Sequence, residues 1–341
     1  MSVSRIAFVV VFGALFVGSS LLFGETGRTA SLTTCLDASA DLTAVFPTDK
    51  FFGEVNEVNA VFSLADGEAF KEMTANYIAV DVGNKAPANF KITSTKLALN
   101  GQKFGRFNYT QPGPMPAGKY RLDVLADGKP WATKEFSILA TPTLKAFDVE
   151  TLFTTSGDVE RKYDFVLLSG KGVRLKLGDI KPDVDGGLRA EVTVVSRGVD
   201  PTGTVFHTLR NGELVLEEWY QWAADGLVVN QRKVGDRVFP MKPAQLLIDR
   251  SLETTNWVYR PESKQPQQVV RQWGPVEVPT PNGTQLGFVV LTVLDMGLTK
   301  TSVERHYVPG QGLVREVSVT SLRNKMMTRQ ELTLKSDLDD R

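Results

Sequence analysis

Between residues 58 and 64 the chain alternates: Val58, Ala60, Phe62 and Leu64 fall on one side of an extended backbone, Asn59, Val61 and Ser63 on the other. A period of two is the mark of a β-strand with one buried face. The same period recurs in Ile78, Val80 and Val82, in Tyr120, Leu122 and Val124, and in Leu188, Ala190, Val192 and Val194. Asp127-Gly128, Asn211-Gly212, Asp225-Gly226 and Asn282-Gly283 stand between such runs. These dipeptides accept the positive φ angles of tight hairpin turns. The pattern predicts an all-β fold in which sequence neighbours pair antiparallel, as in a meander. Helix is scarce: Phe70, Met73 and Tyr77, or Ala244, Leu247 and Ile248, each mark a short turn of it.

A second pattern is a run with no alternation. Ile6 to Gly24 carries no charge and follows a short head containing Arg5, the layout of a secretory signal or a retained membrane anchor. Either way Arg5 stays cytoplasmic and the chain after Glu25 lies outside, so the expected location is extracytoplasmic, periplasmic or at the cell surface. Cys35 is the single cysteine, which excludes an internal disulfide. Thr34 before it, and the ten residues between it and Gly24, fit lipid attachment poorly; it reads as a lone thiol in an export linker.

At 341 residues, two domains is the natural expectation. Pro142 lies among small and polar residues from Leu139 to Ala146, a linker signal. The expected division is a signal peptide or anchor over 1–24, a linker over 25–40, a β-sandwich over 41–140, an antiparallel β domain over 147–335 and a polar tail over 336–341.

Two stretches carry a family resemblance. MPAGKYRLDVLADGKPWATKEFSI, from Met115 to Ile138, resembles the last two strands of immunoglobulin-like sandwich domains in bacterial envelope proteins. NWVYR (Asn256 to Arg260), VEVPTPNGT (Val276 to Thr284) and RHYVPGQGLVREVSV (Arg305 to Val319) together resemble exported bacterial proteins with an open, lipoprotein-carrier-like half barrel around an apolar interior. The resemblance implies an immunoglobulin-like sandwich followed by a curved antiparallel sheet, a half barrel or a sandwich. It implies a compartment more than an activity.

Charge adds an exclusion. Lys plus Arg and Asp plus Glu are equal at 39 each, so no net field favours nucleic acid. Two histidines, His207 and His306, leave little for acid/base or metal chemistry. No G-x-S-x-G elbow surrounds Ser156 or Ser169, and Gly170-Lys171-Gly172 is too short for a phosphate loop. Asp179, Asp183 and Asp185 have glycine at the wrong spacing for a calcium loop of the EF-hand type and read as a solvated turn. Glu304 and His306 share a strand face and read as a structural pair. Asn108-Tyr109-Thr110 and Asn282-Gly283-Thr284 read as turns. The sequence thus predicts no catalytic residue, no metal and no cofactor.

Aromatic side chains supply the candidate ligand site. Trp219, Trp222, Trp257 and Trp273 cluster in the second half with Tyr259, and rings with an apolar face and a polar edge suit a groove for a sugar, a lipid or an apolar peptide. Leu214, Leu216, Tyr220 and Trp222 share one strand face, which points to core for some of them. His207 joins the candidates from the face of Val205 and Leu209. The expected function is non-enzymatic binding or support in the bacterial envelope, with an envelope protein, a lipid or a glycan as partner and membrane contact through residues 6–24 if they are retained. The alternatives are a carrier or chaperone of a lipid or other apolar ligand, and a glycan-binding or glycan-active protein.

Overall fold

Asp127 and Gly128 have φ values of 46° and 79°, the left-handed pair that a two-residue hairpin requires. They join β8 (Gly118–Ala126) to β9 (Lys129–Leu139) in the N-terminal half of the chain. The structure, a computed structural model, describes residues 29–142, 159–170, 187–199, 203–210, 213–251, 254–262, 266–323 and 325–336, and side chains except those of 197–214. The apolar run 6–24, Ser156, the Asp179–Asp185 turn, the Asn211-Gly212 turn and the end of the polar tail lie outside the described residues.

Seven further strands complete the N-terminal half: β1 (Ser31–Ala38), β2 (Ala44–Pro47), β3 (Lys50–Phe52), β4 (Glu57–Ser63), β5 (Glu72–Asp81), β6 (Phe90–Ala98) and β7 (Phe104–Thr110). They form two sheets, β2-β1-β4-β7 and β3-β9-β8-β5-β6, antiparallel except for the parallel pair β3 and β9. Val58, Phe62, Tyr77, Phe107, Tyr120, Leu122 and Phe136 fill the space between them, all buried. This is the expected immunoglobulin-like sandwich. The face of β5 differs from expectation: Met73, Ala75, Tyr77 and Ala79 are buried, while Ile78 and Val80 are only half-buried on the other side. Both phases of this strand are apolar, so alternation alone could not choose between them. Neither suspected helical turn forms; Met73 and Tyr77 lie in β5, and Leu247 and Ile248 in a strand described below.

The second correction concerns residues 31–38, assigned to the export linker and found in β1. Cys35 sits in the middle of that strand, fully buried, opposite Pro47 and Asn59. Lipid attachment there would require cleavage before Cys35, removing Ser31 to Thr34 and their pairing with Ala60 to Ser63. Burial first, and then the Asp37 charge, push the thiol up to about 12 against the opposing pull of Arg106. A thiol with a raised folded pKa stays protonated until pH climbs through that value. Cys35 is therefore expected to ignore a disulfide reagent at pH 8 in the native protein and to react fully in guanidinium; rapid native labelling would contradict its place in the core.

The C-terminal half is one antiparallel sheet. Its strands are β10 (Val159–Ser169), β11 (Leu188–Val199), β12 (Gly203–Arg210), β13 (Glu213–Ala223), β14 (Gly226–Val234), β15 (Arg237–Asp249), β16 (Thr255–Tyr259), β17 (Gln268–Thr280), β18 (Gly283–Asp295), β19 (Thr299–Val308), β20 (Gly312–Leu322) and β21 (Lys325–Leu334). Their order is β15-β14-β13-β12-β11-β10-β21-β20-β19-β18-β17-β16. Every neighbouring pair follows directly in sequence except β10 with β21, whose register runs from Tyr163 opposite Leu334 to Ser169 opposite Thr328.

The sheet curls until its two edges meet. Leu227 and Val229 of β14 pack in one cluster with Val270, Phe288, Val290 and Tyr307 from the other end of the order. At the seam the Trp257 indole donates to the Leu246 carbonyl at 3.2 Å and the Tyr259 hydroxyl to that of Pro243 at 3.0 Å. Gln272 bridges to Asp249 through Oε1, which accepts the Asp249 N–H at 3.0 Å. No backbone ladder closes β15 on β16, so the sheet is not a barrel.

The outer face of β17 to β20 is covered by the sandwich. Gly287 to Thr292 are buried without interruption, because Phe288 and Val290 point into the curl while Val289 and Leu291 point out. Val276, Val278, Val289, Leu291, Val308 and Val314 belong to the same apolar cluster as Val45, Phe46 and Phe51 of the sandwich. The two halves are continuous through their cores.

Candidate functional site

Three places gather polar side chains. The first is the inside of the curled sheet. Glu218 lies between Leu216 and Tyr220 in the phase that faces inward, and Arg305 between Val303 and Tyr307 in the same phase. Arg305 Nε reaches Glu316 Oε2 at 2.6 Å and Arg232 Nε reaches Glu218 Oε1 at 2.7 Å. The Tyr220 hydroxyl donates to Glu218 Oε2 at 2.8 Å. Burial pushes the Glu218 carboxyl up, but Arg232 and Arg305 beside it outweigh that and leave it below the usual carboxylate range. Burial would lower the Arg305 guanidinium; Glu316, then Tyr307, Tyr220 and Glu218, turn the net direction upward. Two cations and two carboxylates thus neutralise one another where apolar side chains surround them. Tyr163, Phe165, Leu167, Leu188, Val192 and Leu332 pack together in a further buried cluster of the same sheet.

The second place is the junction with the sandwich. Asp37, with 5% of its side chain exposed, receives Arg106 at 2.7 Å and Arg271 of β17 at 2.6 Å. Glu304 Oε1 accepts the Phe46 N–H at 2.9 Å and lies 2.6 Å from His306 Nε2. The Phe46 ring meets the His306 ring edge-on at 5.0 Å. The loop after β1 is pinned on both sides of Ala40, whose N–H donates to Ser302 and whose carbonyl accepts from Ser321. Glu304 and His306 are thus buried, bonded to each other and turned toward the sandwich.

The third place is a cleft of about 1030 Å3 where the segment Phe51 to Glu57 overhangs β16 and β17. Val270 and Gln272 of β17 point into the curl, so Val269, Arg271 and Trp273 point outward. Asn256 pairs with Arg271 across the two strands, which sets their Cβ atoms roughly 5 Å apart. Trp273, Arg271, Asn256, Asn56, Glu54 and Glu57 line the cleft. Glu57 Oε1 is held by the amides of Asn59 and Asn108 at 3.0 and 2.7 Å, and Arg271 is held by Asp37. Trp273 is half-buried against the shared core. Its indole N–H and the side chains of Asn56 and Asn256 have no hydrogen-bond partner among the described residues.

The candidate residues do not converge. Trp257 and Tyr259 have their polar edges bound to β15 carbonyls and close the seam. Trp222 packs against the inner cluster with Tyr220. Trp219 stands on the opposite face of β13 from Trp222. His207 pairs through its backbone with Val195 and Glu217, and its side chain lies outside the described residues. Trp273 is the candidate ring that lines the cleft. Its neighbours there, Asn56, Asn256 and Glu54, carried no sequence signal, because exposed asparagine and glutamate look alike in any turn. The inner network did carry one: Glu218 and Arg305 occupy core-phase positions, where an unpaired charge would be prohibitive.

No family model matches the chain, and no curated protein matches it. The crystal structure of a candidate lipoprotein from Parabacteroides distasonis is similar over 52% of this chain and 96% of its own, at 15% sequence identity. Its TM-score is 0.23, a level that carries no argument about this chain.

Proposed function

We propose that this chain is a non-enzymatic, extracytoplasmic binding protein whose ligand site is the cleft between the Phe51–Glu57 segment and β16–β17. The observation that carries the reading is Trp273, a half-buried ring at a junction-lined cleft whose polar edge, like the Asn56 and Asn256 amides beside it, has no partner among the described residues. Ligand sites favour such junctions, with aromatic walls and a few placed polar groups. Two points favour binding over turnover: Glu57 is engaged by two amides, and the described pair of close carboxylate and histidine, Glu304 with His306, lies against the sandwich and not on the cleft. The Arg232–Glu218 and Arg305–Glu316 pairs inside the curl disfavour a lipid carrier that would use it. The uncharged Ile6 to Gly24 run supports export, which fractionation of cells producing the full chain would test; a purely cytosolic protein would remove that part of the proposal.

A fragment screen by saturation-transfer NMR tests the site. Hits on the wild type are expected to vanish with Trp273→Ala and to persist with Trp219→Ala, whose ring lies on another strand face. Hits indifferent to Trp273 would dismiss the cleft.

A further inference from the structure

We infer that the cleft takes a neutral saccharide chain, stacked on Trp273 and gripped by Asn56 and Asn256; this rests on the cleft being the ligand site. Charge decides first. The cation in the lining, Arg271, is held by Asp37 at 2.6 Å, and the carboxylates Glu54 and Glu57 stand beside it. Among the described residues, a phosphate or an acidic polymer would meet no uncompensated positive charge in the lining and at least one carboxylate without a cation partner, Glu54, so anionic ligands are disfavoured. Apolar ligands are disfavoured by enclosure. Leu36 and Val276 in the wall are buried, whereas the exposed rim carries Glu54, Asn56, Thr141, Ser251, Thr254 and Asn256 around the single exposed aliphatic side chain Val269, so an acyl chain would leave most of that polar rim dry on one side and lie open to water on the other.

A pyranose ring suits what remains. Its C–H face is apolar and flat enough to lie on an indole, and its rim carries hydroxyls that both donate and accept. Each asparagine amide offers two donors and an acceptor carbonyl, which matches neighbouring hydroxyls without demanding charge. Trp273 contributes the large apolar face with a polar edge. The volume, about 1030 Å3, lies at the upper end of the range for small-molecule pockets, enough for more than one sugar ring along the β16–β17 surface.

The test is calorimetric titration of the full chain with cellohexaose, chitohexaose and maltohexaose, alongside the uncharged apolar probe N-phenyl-1-naphthylamine and inorganic phosphate. Binding of at least one hexasaccharide is expected, weakened about tenfold or more by Trp273→Ala, in line with loss of a stacking face, and severalfold by Asn256→Ala. Asn256 is exposed and makes no described side-chain bond, so that variant reports on the site even if Trp273→Ala folds poorly. Trp257→Phe, at the seam, should bind as the wild type does. If the naphthylamine or phosphate binds and is lost with Asn256→Ala while no hexasaccharide binds, the saccharide class is wrong and the cleft stands. If no probe responds to either cleft substitution, both fall.

Discussion

Arg305→Met is expected to cost about 3–5 kcal/mol of folding stability, the penalty for leaving one partner of a buried ion pair uncompensated. Arg305 and Glu316 have 10% and 8% of their side chains exposed at 2.6 Å, and Glu218 feels the Arg305 charge across the curl. Removing the guanidinium strands Glu316 and takes from Glu218 the second of its two cations, leaving it Arg232. The double variant Arg305→Met/Glu316→Leu should recover much of the loss, because desolvation of both charges is removed with them. Urea unfolding measures both, and a single-variant loss under about 1 kcal/mol, the value of a solvated pair, would mean that water reaches the network. The same network predicts acid sensitivity. The Glu218 carboxyl has a folded pKa below its unfolded one, so its contribution is complete above the ordinary carboxylate range. It declines as pH falls from there and is gone below the folded pKa. Arg305→Met should flatten that acid limb.

Phe46→Ala is expected to cost a similar amount, about 3–5 kcal/mol, as for other large aromatic truncations in a core. Its particular consequence is uncoupling. Phe46 is 4% exposed, belongs to the cluster that runs from the sandwich into the outer face of β17 to β20, and holds its N–H on Glu304. In the wild type, hydrogen exchange of sandwich peptides and of curled-sheet peptides should collapse together in denaturant. In the variant the sandwich should open first. Phe46 also has φ of 46°, a left-handed value that costs a bulky residue strain. Phe46→Gly relieves that strain and should therefore lose less than Phe46→Ala, by up to about 1 kcal/mol. Equal losses would show that the backbone there is not strained, and an unchanged single transition in both variants would show that the contact does not couple the halves.

Where one alternating phase was apolar and the other polar, the fold was legible. Tyr120, Leu122 and Val124 are buried as their spacing implies, as are Val58, Ala60, Phe62 and Leu64, although Asn59 and Val61 of the other phase are buried too, and Gly128 and Gly283 take the positive φ of their turns. Legibility failed where burial is two-sided or polar. In β5 both phases are apolar. In β1, Ser31, Thr33, Thr34 and Asp37 look like a linker, and only partners distant in sequence, β4 and the two arginines on Asp37, make that stretch a strand. In β19 a single pattern serves two masters: Arg305 and Tyr307 answer to the curl, Glu304 and His306 to the sandwich. The cleft was illegible for a related reason. Trp273 was visible as a ring, but its neighbour Asn56 comes from the other half of the chain, and no local spacing brings them together.

The strand order of the curled sheet has a consequence for how the protein is made. Starting at β10, the chain walks outward strand by strand to β15, steps across the seam to β16, and walks back until β21 lies against β10. Apart from the 18 residues between Ser169 and Leu188, neighbours along each walk are joined by short connections and need little loop entropy to pair. The step from Asp249 to Thr255 is short too, so the seam can assemble early although it joins opposite edges of the sheet. The ladder between β10 and β21 is different, because it brings together residues about as far apart as Tyr163 and Leu334. A ribosome must deliver the final strand before that ladder can form, and until then β10 offers an open edge to any other extended chain nearby. Translation order therefore leaves the middle of this sheet, rather than its rim, exposed longest.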